Sequence, residues 1–153
     1  ISEHALTRAN ERLAESGLSN ARFVDPRAEP MPTDGSCGLV TTFDCIHDMT
    51  RPQEMMGAIR RAVADDGTWL LVDIKGRSSF AENVEKNPMA ALMYGVSVLS
   101  CMSSAMSEPD SAGLGTLGLP AETAEQMASA AGFGRFGQLD IDHSVNNFYE
   151  IRV

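Results

Sequence analysis

Hydrophobic and polar positions alternate along this chain with two periods, one helical and one extended. Over residues 2–16, Ala5, Leu6, Ala9 and Leu13 recur at helical spacing. Ser2 is placed as an N-cap, Glu3 sits in the first turn, and Gly17-Leu18 suits a left-handed cap with a hydrophobic closing contact. This predicts an amphipathic helix that packs on a sheet. No strand precedes it, so the sequence reads as cut. Residues 21–24 and 39–43 are short apolar runs, each predicted as a strand. Between them Pro26, Pro30 and Pro32 predict a loop, closed by the turn Thr33-Asp34-Gly35. Thr50, with Gln53 three residues on, predicts a capping box and a helix over 50–64, with Pro52 tolerated in its first turn. Met55, Met56, Ile59, Ala62 and Val63 form its buried stripe, and Asp65-Asp66-Gly67 ends it. Residues 68–74 are an unbroken apolar run with one late Asp, the pattern of a strand covered on both faces. Strand, helix and strand with short connections make a right-handed parallel unit, so 39–43 and 68–74 are expected to be neighbours.

Residues 76–84 are polar and predicted as loop. Asn87-Pro88 opens a helix expected to reach Met106, with no charge from Pro88 to Ser107. Four serines and a glycine dilute it as a membrane span, and its flanks lack basic or aromatic anchors. It reads instead as a buried helix, or as a subunit contact that would make a homodimer. Its methionines fall in i, i+4 pairs, Met89/Met93 and Met102/Met106, which suits either a pocket wall or gap-filling core. The Gly- and Ser-rich stretch 108–119 is either a mobile lid or a connector. Residues 123–131 form a helix stopped by Gly132. Residues 136–141 and 147–153 alternate and predict an antiparallel hairpin. The fold class is α/β: parallel strands with a C-terminal antiparallel hairpin.

Length and charge narrow the function. At 153 residues the chain is one domain's worth. A formal net charge of −9 argues against nucleic acid as a partner, because phosphate binding needs a basic face. Cys37, Cys45 and Cys101 share no metal-ligand or redox spacing, so no metal is expected. An odd, unpatterned cysteine count suits a reducing compartment, hence the cytoplasm. Candidate chemistry concentrates in residues 36–48. Small turn residues lead into the 39–43 strand, which ends in Asp44, His47 and Asp48. In open parallel sheets ligands bind beyond the carboxyl ends of strands. A strand that merely ends in solvated charges would read the same way.

The order of elements resembles the later two thirds of a Rossmann-like S-adenosylmethionine-dependent methyltransferase. Residues 1–10 resemble the opening of the helix after that fold's second strand. Residues 23–32 resemble its third strand and the loop bordering the adenine. Residues 38–48, with Ile46-His47-Asp48, resemble the fourth strand and its cofactor-facing end. Residues 67–73 resemble the fifth strand, and 147–153 the antiparallel seventh. Asp44-Cys-Ile-His-Asp48, the apolar 88–106 helix, Gly113-Leu-Gly-Thr116 and Asn147-Phe-Tyr149 are similar to a bacterial group in which a winged-helix segment precedes this domain. The resemblance implies S-adenosylmethionine as cofactor, with Arg27 and Ala28 bordering the adenine and Thr42 and Phe43 approaching the cofactor. Asp44 and His47 would be catalytic, with His47 as proton acceptor or as support for the turn. Lys75, Met93 and Met102 would face the substrate.

The departures define the rival readings. The fold's glycine-rich first loop and its ribose-binding acid have no counterpart in residues 1–153. The Asp usual near the adenine amine aligns with Arg27, and Asp25 lies two positions early. The expectation is one methyltransferase-like domain lacking its first two strands, so that these residues alone bind the cofactor poorly. The leading function is methyl transfer to a small, partly apolar acceptor. The alternative is a non-catalytic cofactor-sensing or interaction module. A nicotinamide-dependent enzyme ranks behind both, since no Gly-x-Gly-x-x-Gly is present and the closing hairpin suits it badly.

Overall fold

The computed structural model describes residues 2–153; Ile1, which opens the first stretch of the resemblance, lies outside them. The chain divides into two compact units, Ile1–Met31 and Pro32–Val153. In the first, helix α1 spans Glu3–Ser16. The Ser2 hydroxyl accepts from the Ala5 N–H, and Gly17, at φ 68°, closes the helix by donating to the Ala14 carbonyl. None of its side chains is buried. Residues 21–24 form no strand, contrary to the apolar pattern. A strand exists through its ladder, and among the described residues this segment pairs with none. Local ion pairs shape it instead: Arg22 with Glu29, and Arg27 with Asp25.

The second unit is built on a four-stranded sheet ordered β1-β2-β4-β3. Strand β1 is Cys37–Phe43 and β2 is Val63–Ile74, parallel neighbours as the pattern predicts. Helix α2, Pro52–Ala62, joins them. It starts later than expected and without a capping box. Pro52 takes the first helical position, its fixed φ makes Arg51 the cap residue, and Thr50 falls one place too early. The Gln53 amide, freed from capping, donates to the Met127 carbonyl at 3.0 Å. The Asp65-Asp66-Gly67 turn is absorbed into an irregular ladder: Cys37 pairs with Val63, but Leu39 pairs with Thr68. Gly67 is required there, because a Cβ would stand 2.8 Å from the Cys37 carbonyl oxygen.

Burial on β2 is uneven between its two faces, although Val72 on the less covered face is buried too. Trp69, Leu71 and Asp73 are fully buried, while Thr68, Leu70 and Ile74 are half-buried. Trp69 packs on Phe133, 5.4 Å between ring centroids, just beyond helix α6, Ala121–Ala130. On β1, Leu39 and Phe43 point to the open side and are more than half exposed. Strands β3, Arg135–Gln138, and β4, Asn146–Arg152, form the expected hairpin, and β4 inserts antiparallel between β2 and β3.

The segment after β2 departs furthest from expectation. Residues 76–84 include the start of a short helix α3, Phe80–Lys86, capped by the Ser79 hydroxyl. The apolar helix is two pieces, α4 at Ala90–Leu99 and α5 at Cys101–Ala105, parted at Ser100. The Ser103 hydroxyl donates to the Ser100 carbonyl, a side-chain bond that competes with a regular helix. The helix is not buried: Ala90, Ser97, Cys101 and Ala105 face inward, whereas Val98 and Leu99 are 71% and 82% exposed. The stretch 108–119 is packed rather than loose. Its Ala112 and Gly115 N–H groups donate to the Thr50 and His47 carbonyls. Leu117 and Leu119 are buried. No helix among the described residues is long and apolar enough to cross a membrane.

Candidate active site

The parallel pair β1 and β2 delivers its carboxyl ends side by side, and the amino end of β4 meets them from the opposite direction. Chain reversal after β1 occurs at Asp44, whose φ of 46° is left-handed, a conformation Asp tolerates better than most residues. Its carboxylate accepts from the Asn146 amide at the start of β4, and its N–H donates to the Val72 carbonyl. The chain then makes a single 3-10 turn, Ile46–Asp48, which drives Ile46 and His47 inward.

His47 is 3% exposed. Its Nδ1 lies 2.6 Å from Asp73 Oδ1, and Asp73 is 1% exposed. A carboxylate only accepts, so Nδ1 carries the proton and Nε2 is the atom left to exchange one. The same Asp73 oxygen accepts from the Ile74 N–H at 2.8 Å, which fixes the carboxylate. Nε2 faces Asp48, 3.2 Å away. Burial by itself would lower the His47 pKa. The Asp73 hydrogen bond and the charges of Asp73, Asp48 and Asp44 outweigh burial and raise it above its ordinary value. Beneath this pair lies Cys101, whose Sγ accepts from the Thr116 hydroxyl at 2.9 Å. The ligand-type atoms of His47, Asp48 and Cys101 lie within 4.8 Å of one another. Burial pushes the Cys101 thiol up, so at neutral pH this is a protonated thiol in a hydrogen-bonded cluster.

The sequence-chosen residues are only partly assembled. Asp44 and His47 occupy the same turn. Thr42 and Phe43 precede them; the Thr42 hydroxyl accepts from the Trp69 indole at 3.0 Å, which leaves its backbone as the part that could approach a cofactor. The Phe43 ring is 57% exposed at the end of the strand. Arg27 and Ala28 belong to the first unit. There Asp25 accepts from the Arg27 side chain and backbone N–H, which hold its carboxyl down at about 2. Lys75 and Met93 line one cavity of about 560 Å³, together with residues of β3 and of the chain entering β4. Met102 does not join them; it packs beside Gly113 and Gly115. A second cavity of about 730 Å³ lies by the helix α2 start and includes Cys45 and Asp48. Asp73 and Asn146 were not foreseen as site residues. A lone carboxylate late in an apolar strand is the one feature of the sequence that sets Asp73 apart, and it does not name a partner. Nothing in the local pattern marks Asn146.

Comparison with known proteins agrees with this architecture. Residues 1–126 match a family described as a methyltransferase domain. No curated protein matches the chain. Among solved structures it is similar to PigF with SAH, at 14% identity and TM-score 0.68, over 99% of this chain and 46% of that one. It is similar to a putative O-methyltransferase from Nostoc punctiforme PCC 73102, at 17% identity and TM-score 0.66, over 95% of this chain and 41% of that one. A third is an SAM-dependent methyltransferase from Aquifex aeolicus, at 15% identity and TM-score 0.62, over 100% of this chain and 66% of that one. The chain therefore spans less than half the length of the first two of these relatives, and at such identities the likeness speaks for the fold. With the family match running from the first helix through most of α6, the chain belongs to the methyltransferase-domain family.

Proposed function

We propose that this chain serves S-adenosylmethionine-dependent methyl transfer to a small, partly apolar acceptor. The observation that carries the reading is the buried His47–Asp73 pair, 2.6 Å apart, where the carboxyl ends of two parallel strands meet. The open Phe43 ring and the left-handed Asp44 turn offer an aromatic face and a carboxylate at the strand end, which suit an adenosine-bearing cofactor. When bound, S-adenosylmethionine supplies a methyl group already activated on a sulfonium. The protein's task is then alignment and removal of the acceptor's proton. Asp73 holds His47 Nδ1, and Nε2 takes that proton. Asp48 covers Nε2 in the arrangement seen here. Its side chain is about a third exposed, and on this reading it must move aside to admit the acceptor.

The test is methyl transfer by the full-length protein from S-adenosylmethionine to a panel of small hydroxy- and amino-compounds. His47→Gln keeps a hydrogen bond to Asp73 but removes the titratable base, and is expected to slow transfer by roughly 10²–10⁴-fold. An unchanged rate would return His47 to a role in holding the turn. Cofactor binding by calorimetry without turnover on any acceptor would favour the cofactor-sensing module, for which the Arg27 position is the supporting observation.

A further inference from the structure

The chain as a whole is strongly acidic, with 21 Asp and Glu against 12 Lys and Arg. The cavity containing Lys75 and Met93 has the opposite character. Its lining includes Lys75, Arg77 and Lys86, and no Asp or Glu. The three cations are not equally neutralised. Lys86 pairs with Glu82 at 3.1 Å, one helical turn away, with both side chains about half exposed, which makes the pair weak. Lys75 Nζ donates to the His143 carbonyl, a neutral partner, and makes no ion pair among the described residues. Arg77 makes no ion pair among the described residues; its backbone N–H is anchored on the Asn83 side chain, which fixes where the guanidinium starts. The same lining includes the apolar side chains of Met89 and Met93 from the 88–106 segment. At about 560 Å³ the cavity is in the range of small-molecule sites.

A cationic end and a flexible thioether wall in one cavity select an amphiphile. A guanidinium matches a carboxylate in two parallel hydrogen bonds, and methionine adapts to an apolar chain or ring. We infer that this cavity binds the non-reacting end of a carboxylate-bearing small molecule, with Arg77 and Lys75 on the carboxylate and Met89 and Met93 along its apolar body. The inference rests on the methyl-transfer reading for what the molecule is there to do, but its binding does not require the cofactor.

Titration calorimetry with octanoate, octan-1-ol and inorganic phosphate, on the full chain without cofactor, tests it. Octanoate is expected to bind about tenfold or more tightly than octan-1-ol, the increment of a charge-assisted hydrogen bond. Arg77→Ala, at an exposed position, should abolish that preference and leave octan-1-ol binding unchanged. Met93→Asp should weaken both organic ligands. Equal binding of octanoate and octan-1-ol, indifference to Arg77→Ala, or phosphate competing as well as octanoate would each overturn the inference. A parallel titration of the full-length protein with S-adenosylmethionine reports on the methyl-transfer reading separately: octanoate binding without cofactor binding there sinks that reading alone.

Discussion

His47 lies in a field of three carboxylates from two stretches of chain, its own turn and β2, and that field gives it opposite effects on stability and on rate. Burial works against the imidazolium, while Asp73, Asp48 and Asp44 favour it, and the net result is a pKa above the ordinary 6.5. A folded-state pKa raised above the unfolded one adds stability that is complete below the unfolded value. That stability is lost as pH rises through the folded value. The unfolding temperature should therefore fall as pH climbs from about 6.5 through the raised pKa. A proton acceptor must first be neutral, so methyl transfer should rise over the same window. Thermal melts and initial rates across this range check both signs, with His47→Gln flattening its part of the stability slope. A rate that falls as pH increases there would exclude His47 as the base. His47 was legible in the sequence because it follows an apolar strand. Its partner was not, since 26 residues separate the two and only the parallel register of β1 on β2 brings them together. The bond between the Thr42 hydroxyl and the Trp69 indole was not legible for the same reason: it depends on a neighbouring strand.

At the scale of elements, legibility tracked periodicity and length. The closing hairpin and α1 have clear alternation or clear caps, and both formed where expected. Helix α3, seven residues and mostly polar, carries too few apolar positions to show a period. The 88–106 segment is apolar on every side, so its sequence could not tell which face turns inward or that Ser100 divides it. What selects the inward face is the Gly113-Leu-Gly-Thr116 stretch. Gly115, at φ 69°, donates its N–H to the His47 carbonyl, and the Thr116 N–H donates to the Ser97 hydroxyl at 3.0 Å. A Cβ on Gly115 would stand 2.7 Å from both Met102 Sδ and Ser97 Oγ. Gly115→Ala should therefore cost about 1–2 kcal/mol for the left-handed backbone alone, and more if Met102 cannot yield. Urea unfolding measures it. A loss under about 0.5 kcal/mol, the scatter of ordinary surface changes, would mean that the loop is not fastened to α4 as described.

Across the whole molecule, the sheet order β1-β2-β4-β3 concentrates burial at β2 and leaves β1 at the margin. Among the described residues β1 pairs on one side only, and Leu39 and Phe43 add exposed apolar surface beside that free edge. An extended edge of this kind offers backbone donors and acceptors to another chain, and a charge is a common way of blunting it. The apolar run 39–43 was readable as a strand, and the expected lack of the fold's first two strands placed it at an unpaired edge; its composition alone did not. A run of that composition looks the same at the centre and at the rim, and only the pairing of β2 with β4 on its far side decides it. Leu39→Lys places a cation on the open side without touching the packed face that holds Val40 and Thr42. It should lower concentration-dependent association of the 153-residue chain, seen by light scattering, while the unfolding free energy stays within about 0.5 kcal/mol. Unaltered association would mean that the β1 margin is not the sticky surface. A large loss of stability would mean that Leu39 is covered by part of the chain, and that the open side of the sheet is closed in solution.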